Sequence, residues 1–340
     1  MSDFNTFRSA IAATLALTVT STASAAETVK WDMAIIGVGA FRVAGEALAE
    51  YVNTNSDGEF TIKLHQDTLS PAREILDNLA VGAFELGYVI SSYHPGKNPL
   101  VSTLDLPFLP IKTMEQRGAV AEALFEHEDI KKEFGRWNTV PIMAVVQPNY
   151  EIIGKGTPPT TLDVFDGMRV KATSGIGDAL GHFGTRLISM TGAEQYNGLQ
   201  TGVIDAVAAT YSAFGGFKLY ELTDWYTVGM DAGTAHVTVT ANRDAYEALS
   251  DEHKMLLDEA KVYAYAKSVE AQLAATDENV PIFDEYKLQR VEIPAEQVEK
   301  LRSEAAQPVW DAYIESLESK GLPGQEILDF VIAEAKKVQG

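Results

Sequence analysis

The 340-residue sequence predicts an α/β protein folded as two lobes, each assembled from non-contiguous segments. Three observations predict it. Strand-like and helix-like stretches alternate from Val29 onward. A loop crowded with Gly154, Gly156, Pro158 and Pro159 parts one such series from the next, so a second unit begins near Gln147-Pro148. Finally, Ser250 to about Asn279 contains no Pro or Gly. A helix of that length spans on the order of 40 Å, longer than one small domain, and is suited to bracing both lobes.

The elements follow in order. Val29 to Ile36 is an apolar strand running into the turn Gly37-Val-Gly39. Phe41, Ala44, Leu48, Tyr51 and Val52 repeat at helical spacing, and Asn55-Ser-Asp-Gly58 closes that helix. Phe60, Ile62 and Leu64 alternate as a strand, and Ser70-Pro71 reads as an N-cap opening a helix through Leu79. Leu86 to Ser91 and Thr139 to Val146 are strands. Between them Thr113-Met-Glu-Gln116 is a capping box ahead of Val120–Phe125. In the second unit Met168 to Ala172 is a strand, Ile176 to Phe183 a helix and Leu187 to Met190 a strand. Thr191-Gly-Ala-Glu194 is a second capping box whose helix stops at Gly202, before the strand Val203 to Ala209. Beyond the long helix, which Pro281 should end, come a strand at Leu288–Ile293 and two amphipathic helices finishing in Lys336-Lys337.

Composition bounds the function. Residues 1–26 read as a secretory signal: Arg8, an apolar stretch from Ala10 to Leu17, then Ala23-Ser-Ala25 as the small-residue cleavage pattern, with the mature start near Ala26 or Glu27. Export to the periplasm is the expectation. There are no cysteines, which excludes thiol catalysis and cysteine-ligated metals. The net charge of −21 argues against nucleic acid and anionic membranes as partners. It also repels anions, so an anion receptor of this composition needs a local cationic focus.

Catalytic and cofactor motifs do not emerge. Gly37-Val-Gly39-Ala-Phe-Arg42 places Arg42 where a dinucleotide fingerprint needs its third glycine, and Gly175-Ile-Gly177-Asp-Ala-Leu-Gly181 is off-spacing. Both read as tight strand-to-helix turns. The six histidines stand without a partner at i, i+3 or i, i+4, and Glu126-His-Glu-Asp129 reads as a solvated helix junction. No cofactor and no metal are expected.

Phe165-Asp-Gly-Met-Arg-Val-Lys-Ala172, followed by Glu194-Gln-Tyr196-Asn-Gly-Leu199-Gln200-Thr-Gly202-Val-Ile-Asp205, resembles the solute receptors of tripartite ATP-independent periplasmic (TRAP) transporters, dicarboxylate-receptor type. Leu104-Asp-Leu-Pro-Phe-Leu109 and Asn242 to Ser250 add weaker echoes, and the likeness runs from about Val29 to Leu317. The resemblance implies a two-lobed periplasmic-binding-protein fold with hinge strands and a long helix spanning both lobes. Lobe I would hold 27–147 plus about 237–262, and lobe II 148–236 plus about 263–340. It implies lobe closure over a small organic anion, delivery to TRAP membrane permease subunits, and no enzymatic activity. Two other readings stand beside it: a sensor subunit, and an enzyme on the same scaffold using Glu74 or Asp205 as acid and base.

The family's carboxylate clamp is an Arg, and Lys171 occupies that position here. Arg169 is the alternative, because residues two apart on a strand share a face; its other reading is a side chain facing solvent. Lys is a compact point charge and Arg a two-pronged donor, so the exchange alters the grip. The family's ligand-facing Asn is Ala209, its second basic position is Tyr150, and Ser174 matches a cleft position. Arg73 and Glu74 match a stretch that reaches the ligand, with surface helix charges as the other reading. Tyr88, Tyr93, Tyr211, Phe214 and Trp225 lie at or near strand ends, where pocket lining and core packing are both open. Two lost polar partners and these aromatics favour a monocarboxylate or sulfonate with an apolar or aromatic body over a dicarboxylate.

Overall fold

The computed structural model describes residues 28–94, 96–173 and 175–338. The expected signal segment and Ser174 lie outside the described residues. Among them, two sheets form. The first contains β1 (Val29–Ile35), β2 (Phe60–Gln66), β3 (Leu86–Ile90), β4 (Thr139–Ala144) and, much later in the chain, β10 (Val237–Asn242), in the order β2-β1-β3-β10-β4. The second contains β5 (Glu151–Gly154), β6 (Arg169–Lys171), β7 (Arg186–Leu187), β8 (Ala206–Ala209), β9 (Trp225–Val228) and β11 (Gln289–Glu292), in the order β11-β9-β5-β8-β6-β7. β1 runs parallel to β2 and β3, whereas β10 enters antiparallel between β3 and β4. That late strand makes the first lobe discontinuous.

Helices α1 (Val43–Asn55), α2 (Ile75–Ala80), α3 (Met114–Phe125) and α4 (Glu128–Gly135) belong to the first lobe. Both expected capping boxes form: Gln116 N donates to Thr113 Oγ1 at 3.2 Å, and Thr191 N donates to Glu194 at 2.6 Å. Each settles helix-start groups that have no intrahelical partner. The Ser70-Pro71 start does not form. Residues 71–74 are a turn, α2 begins only at Ile75, and Ser70 Oγ donates to Pro71 O while accepting from Asn78 at 2.8 Å.

The second lobe carries α5 (Ile176–Gly181), α6 (Gln195–Thr201) and α7 (Tyr211–Gly216), and α6 stops at left-handed Gly202 as expected. After the short α8 (Arg243–Glu247), α9 (Asp251–Glu285) packs on α1 and α3 of the first lobe and on α7 of the second. It runs 35 residues, through Pro281. Proline removes one helical N–H, and the loss is offset because Phe283 beyond it is fully buried against Tyr226, at 5.1 Å between ring centroids, with Tyr211 and Phe214 nearby. Then α10 (Ala295–Leu301) and α11 (Gln307–Glu318) join through a π-helical turn, and α12 (Gly324–Lys337) follows. The last helix departs from the expected lobe boundary. Its Ile327, Val331 and Ala335, with Leu317, pack into a core with Leu100, Val120 and Phe134 of the first lobe. The apolar face of α12 finds its partner there, so this helix belongs to the first lobe.

Two extended segments cross between the sheets side by side. Val145 N donates to Val237 O and Tyr150 N to Gly233 O, both at 2.8 Å. With α9 they are the connections that position the cleft. No helix among the described residues is long and apolar enough to cross a membrane.

Candidate functional site

The carboxyl ends of β1, β3, β6 and β8 face one another across a cavity of about 470 Å³, the position where open α/β sheets take ligands. Ile36, Val38 and Phe41 form one wall, Ile90 and Tyr93 a second, and Ala209, Ala213 and Phe217 a third. Gln147, Tyr150, Ala235 and Val237 of the crossing segments close the back. Gly37-Val-Gly39, read from sequence as a plain turn, thus supplies part of the cleft.

Among the described lining residues Lys171 is the one cation. It ends β6, is 6% exposed, and makes no hydrogen bond or ion pair among the described residues. Burial pushes its ammonium down to about 8, because a low-dielectric site disfavours the charged form. The other charged wall residues are the carboxylates of Asp67 and Glu194. Asp67 is paired with Arg42 at 3.0 Å, and Glu194 is held by its capping box, whose backbone and hydroxyl donors on Thr191 hold its carboxyl below the usual range. Tyr150 is buried, which pushes its phenol up, with Thr234, Gln147 and Ala235 around the hydroxyl.

Three contacts join the lobes around this cavity. Gly192 N donates to Tyr93 Oη at 3.2 Å, Arg73 donates to Ser189 Oγ at 3.1 Å, and Ala40 N donates to Ser212 Oγ at 2.9 Å. The last needs glycine at 39, where φ is +57° and a Cβ would sit 2.7 Å from Ser212 Oγ.

Of the residues singled out in the sequence, Lys171, Tyr150, Ala209 and Tyr93 line the cavity, whereas Phe214 is fully buried in the core. Arg73 stands beside it, its guanidinium 5.0 Å over the Tyr93 ring. Glu74 is exposed at the start of α2 and outside the walls. Arg169 is a correction. It lies two residues before Lys171, roughly 6.6 Å along the strand, at the far end of β6, where Asp205 takes its guanidinium in paired contacts and Gly202 O accepts another bond. Tyr88, Trp225 and Tyr211 also leave the walls. Tyr88 is 0% exposed and bonds Gly45 N and Arg42 O beneath α1. Trp225 is 0% exposed and donates to Lys155 O, while the Tyr211 hydroxyl donates to Thr227 O. In each case a polar tip found a backbone partner inside the core. Sequence reasoning missed Gln147, Thr173, Gln195 and Phe217 as wall residues.

Two α/β lobes, joined by crossing strands and one long helix, with a cavity whose one cation among the described walls is buried, define a solute-binding protein. The family model for bacterial extracellular solute-binding proteins, family 7, matches residues 41–316, and the chain belongs to that family, the TRAP solute receptors. Its members are receptors of transporters and not enzymes, so the acid–base reading of Glu74 or Asp205 is set aside. The ectoine-binding periplasmic protein TeaA of Halomonas elongata is 25% identical over 316 residues, 87% of this chain and 86% of that protein. The ectoine/5-hydroxyectoine-binding periplasmic protein UehA of Ruegeria pomeroyi is 26% identical over 325 residues, 93% of each. Among solved structures, a TRAP solute-binding protein from Rhodoferax ferrireducens with copurified benzoate superposes with a TM-score of 0.80 at 19% identity, covering 92% of this chain and 100% of that one.

Proposed function

We propose that this receptor works in the periplasm. There it captures, by lobe closure, a small solute with one carboxylate or sulfonate head on a compact apolar or aromatic body, and delivers it to TRAP permease subunits. The carrying observation is Lys171: a buried ammonium without a side-chain partner among the described residues, and the one cation among the described walls of the cavity. Buried charges are normally paired, and a single anionic head completes this one. The other charged groups among the described walls are the carboxylates of Asp67 and Glu194, which repel a second carboxylate. Ectoine and benzoate, named for a relative and a structural neighbour, each carry one carboxylate on a ring.

A thermal-shift panel tests this, followed by calorimetric titration, using benzoate, phenylacetate, ectoine and pyroglutamate against succinate, malate and neutral benzamide. A solute at a hundredfold excess over Kd stabilises by about 2.7 kcal/mol. Monocarboxylates should give that rise together with a smaller radius of gyration. A response confined to succinate and malate defeats the proposal.

A further inference from the structure

Residues 104–111 of the first lobe divide their side chains between the two lobes. Leu104, Leu109 and Ile111 pack into the first-lobe core with Val120 and Phe134. Phe108, half-buried and next to Leu109, packs instead on the second-lobe core that holds Ile152, Val170 and Leu301. The Arg302 guanidinium, from the π-helical turn of the second lobe, lies 5.2 Å over its ring.

The backbone around Phe108 is gripped as well. Asp105 O lies against Gly175 at the start of α5, where a Cβ would come within 1.8 Å of it. Trp310 Nε1 of α11 donates to Pro107 O at 2.8 Å, and Phe108 N donates to Ala232 O of a crossing segment at 3.3 Å. Residues 104–111 are not among the described walls of the solute cavity. Asn149 borders a small cavity together with Phe108, while its neighbour Tyr150 lines the solute cleft, so the two places flank one crossing segment.

Phe108 also sits at φ +57°. For a bulky side chain the left-handed region is an outlier that persists only where the surroundings over-determine it. Glycine would relieve the strain, so the ring at 108 is kept at a backbone cost, and what the strain secures is a seat on the other lobe.

We infer that Phe108 is a positioning residue for solute capture: a pivot seated on the second lobe, about which the lobes turn as the cleft across the crossing segment closes. The inference rests on lobe closure as proposed above. A seated pivot confines the empty receptor to a narrow range of lobe angles, and apparent affinity scales with the fraction of molecules competent to close.

Small-angle scattering and titration calorimetry with the best monocarboxylate, applied to the whole receptor and its variants, test this. Phe108→Ala should bind the solute several-fold more weakly than wild type and, when empty, show a larger radius of gyration. Phe108→Tyr keeps the ring and should restore both values. Phe108→Gly suits φ +57° and should be the more stable of the two truncations, yet equally impaired in binding. Val120→Ala, a truncation inside the first-lobe core, should lower the melting temperature and leave affinity and radius unchanged. Should Phe108→Ala fail to fold, Phe108→Leu, which keeps an apolar anchor but not the ring face beneath Arg302, takes its place with changes in the same direction. Unaltered affinity and radius in the Phe108 truncations, or the same losses in Val120→Ala, overturn the inference. A wild type that binds its solute without compaction overturns lobe closure and the pivot with it, whereas wild-type compaction that the truncations leave unchanged overturns the pivot alone.

Discussion

Replacing Lys171 by Met should do opposite things to the empty and the loaded receptor. Burial lowers the ammonium from 10.5 to about 8. At 1.36 kcal/mol per unit, holding that charge costs the empty fold on the order of 3 kcal/mol at pH 7. The sign follows from linkage: between pH 8 and 10.5 the unfolded chain binds a proton that the folded one has lost, so stability rises with pH there. The penalty is full below 8 and gone above 10.5. Lys171→Met keeps most of the stem and removes the charge, so at pH 7 the empty variant should melt several degrees higher than wild type. Near pH 10.5 that advantage should vanish. Against the solute the change is harmful. A carboxylate left buried without its cation should cost about 2–5 kcal/mol of affinity, roughly 30-fold to several-thousand-fold in Kd. Scanning calorimetry of the empty proteins at several pH values, with titration calorimetry of the best monocarboxylate, measures both. A variant that melts lower than wild type when empty and binds the solute equally well refutes the reasoning on both counts.

Four further outcomes are expected. Affinity for a carboxylate should hold steady below pH 8 and fall by up to tenfold per unit above it, with proton uptake near pH 8, because the bound anion raises the Lys171 pKa; titration in buffers of different ionisation heat reads this. Tyr93→Phe removes the acceptor for Gly192 N and should weaken solute binding by about 1 kcal/mol, with a larger radius of gyration in solution scattering at subsaturating solute. Gly175→Ala sets a Cβ 1.8 Å from Asp105 O at φ +52°, and should destabilise by roughly 2 kcal/mol or more in urea unfolding. Glu133, which accepts from Leu100 N and Val101 N, has its carboxyl pushed up to about 7 by burial. Its folded pKa exceeds the unfolded one, so its contribution grows as pH falls from 7 toward 4.5. The stability difference between wild type and Glu133→Gln should therefore widen between pH 7.5 and 5.5.

What the sequence disclosed depended on how local each determinant is. The Thr113 and Thr191 boxes, the stop at Gly202 and the α9 cap, where Ser250 accepts from His253 N, are fixed within a few residues and were legible. Pro281 misled because the stabilising partner of the turn beyond it, the cluster around Phe283, comes from residues some seventy positions earlier. Strands β5, β9 and β10 went unread as short apolar stretches whose identity rests on distant neighbours; β10 needs both β3 and β4. The site divides in the same way. Lys171 was legible because the strand ends where the motif ends. The outward placement of Arg169 was one of the two readings its strand position allowed, and the contact that decides between them is with Asp205, thirty-six residues later. Tyr88 and Trp225 sit at strand positions that look like pocket walls, and only the packing of α1 and of Lys155 shows that their polar tips turn inward.

The most direct test of the central claim is a crystal structure of the receptor with the tightest-binding monocarboxylate from the panel. A solute in the cleft with a carboxylate oxygen within hydrogen-bond distance of Lys171 Nζ, and its body against Phe41, Tyr93 and Phe217, is the predicted result. A solute whose acid group lies away from Lys171, or one held outside the cleft, would contradict it.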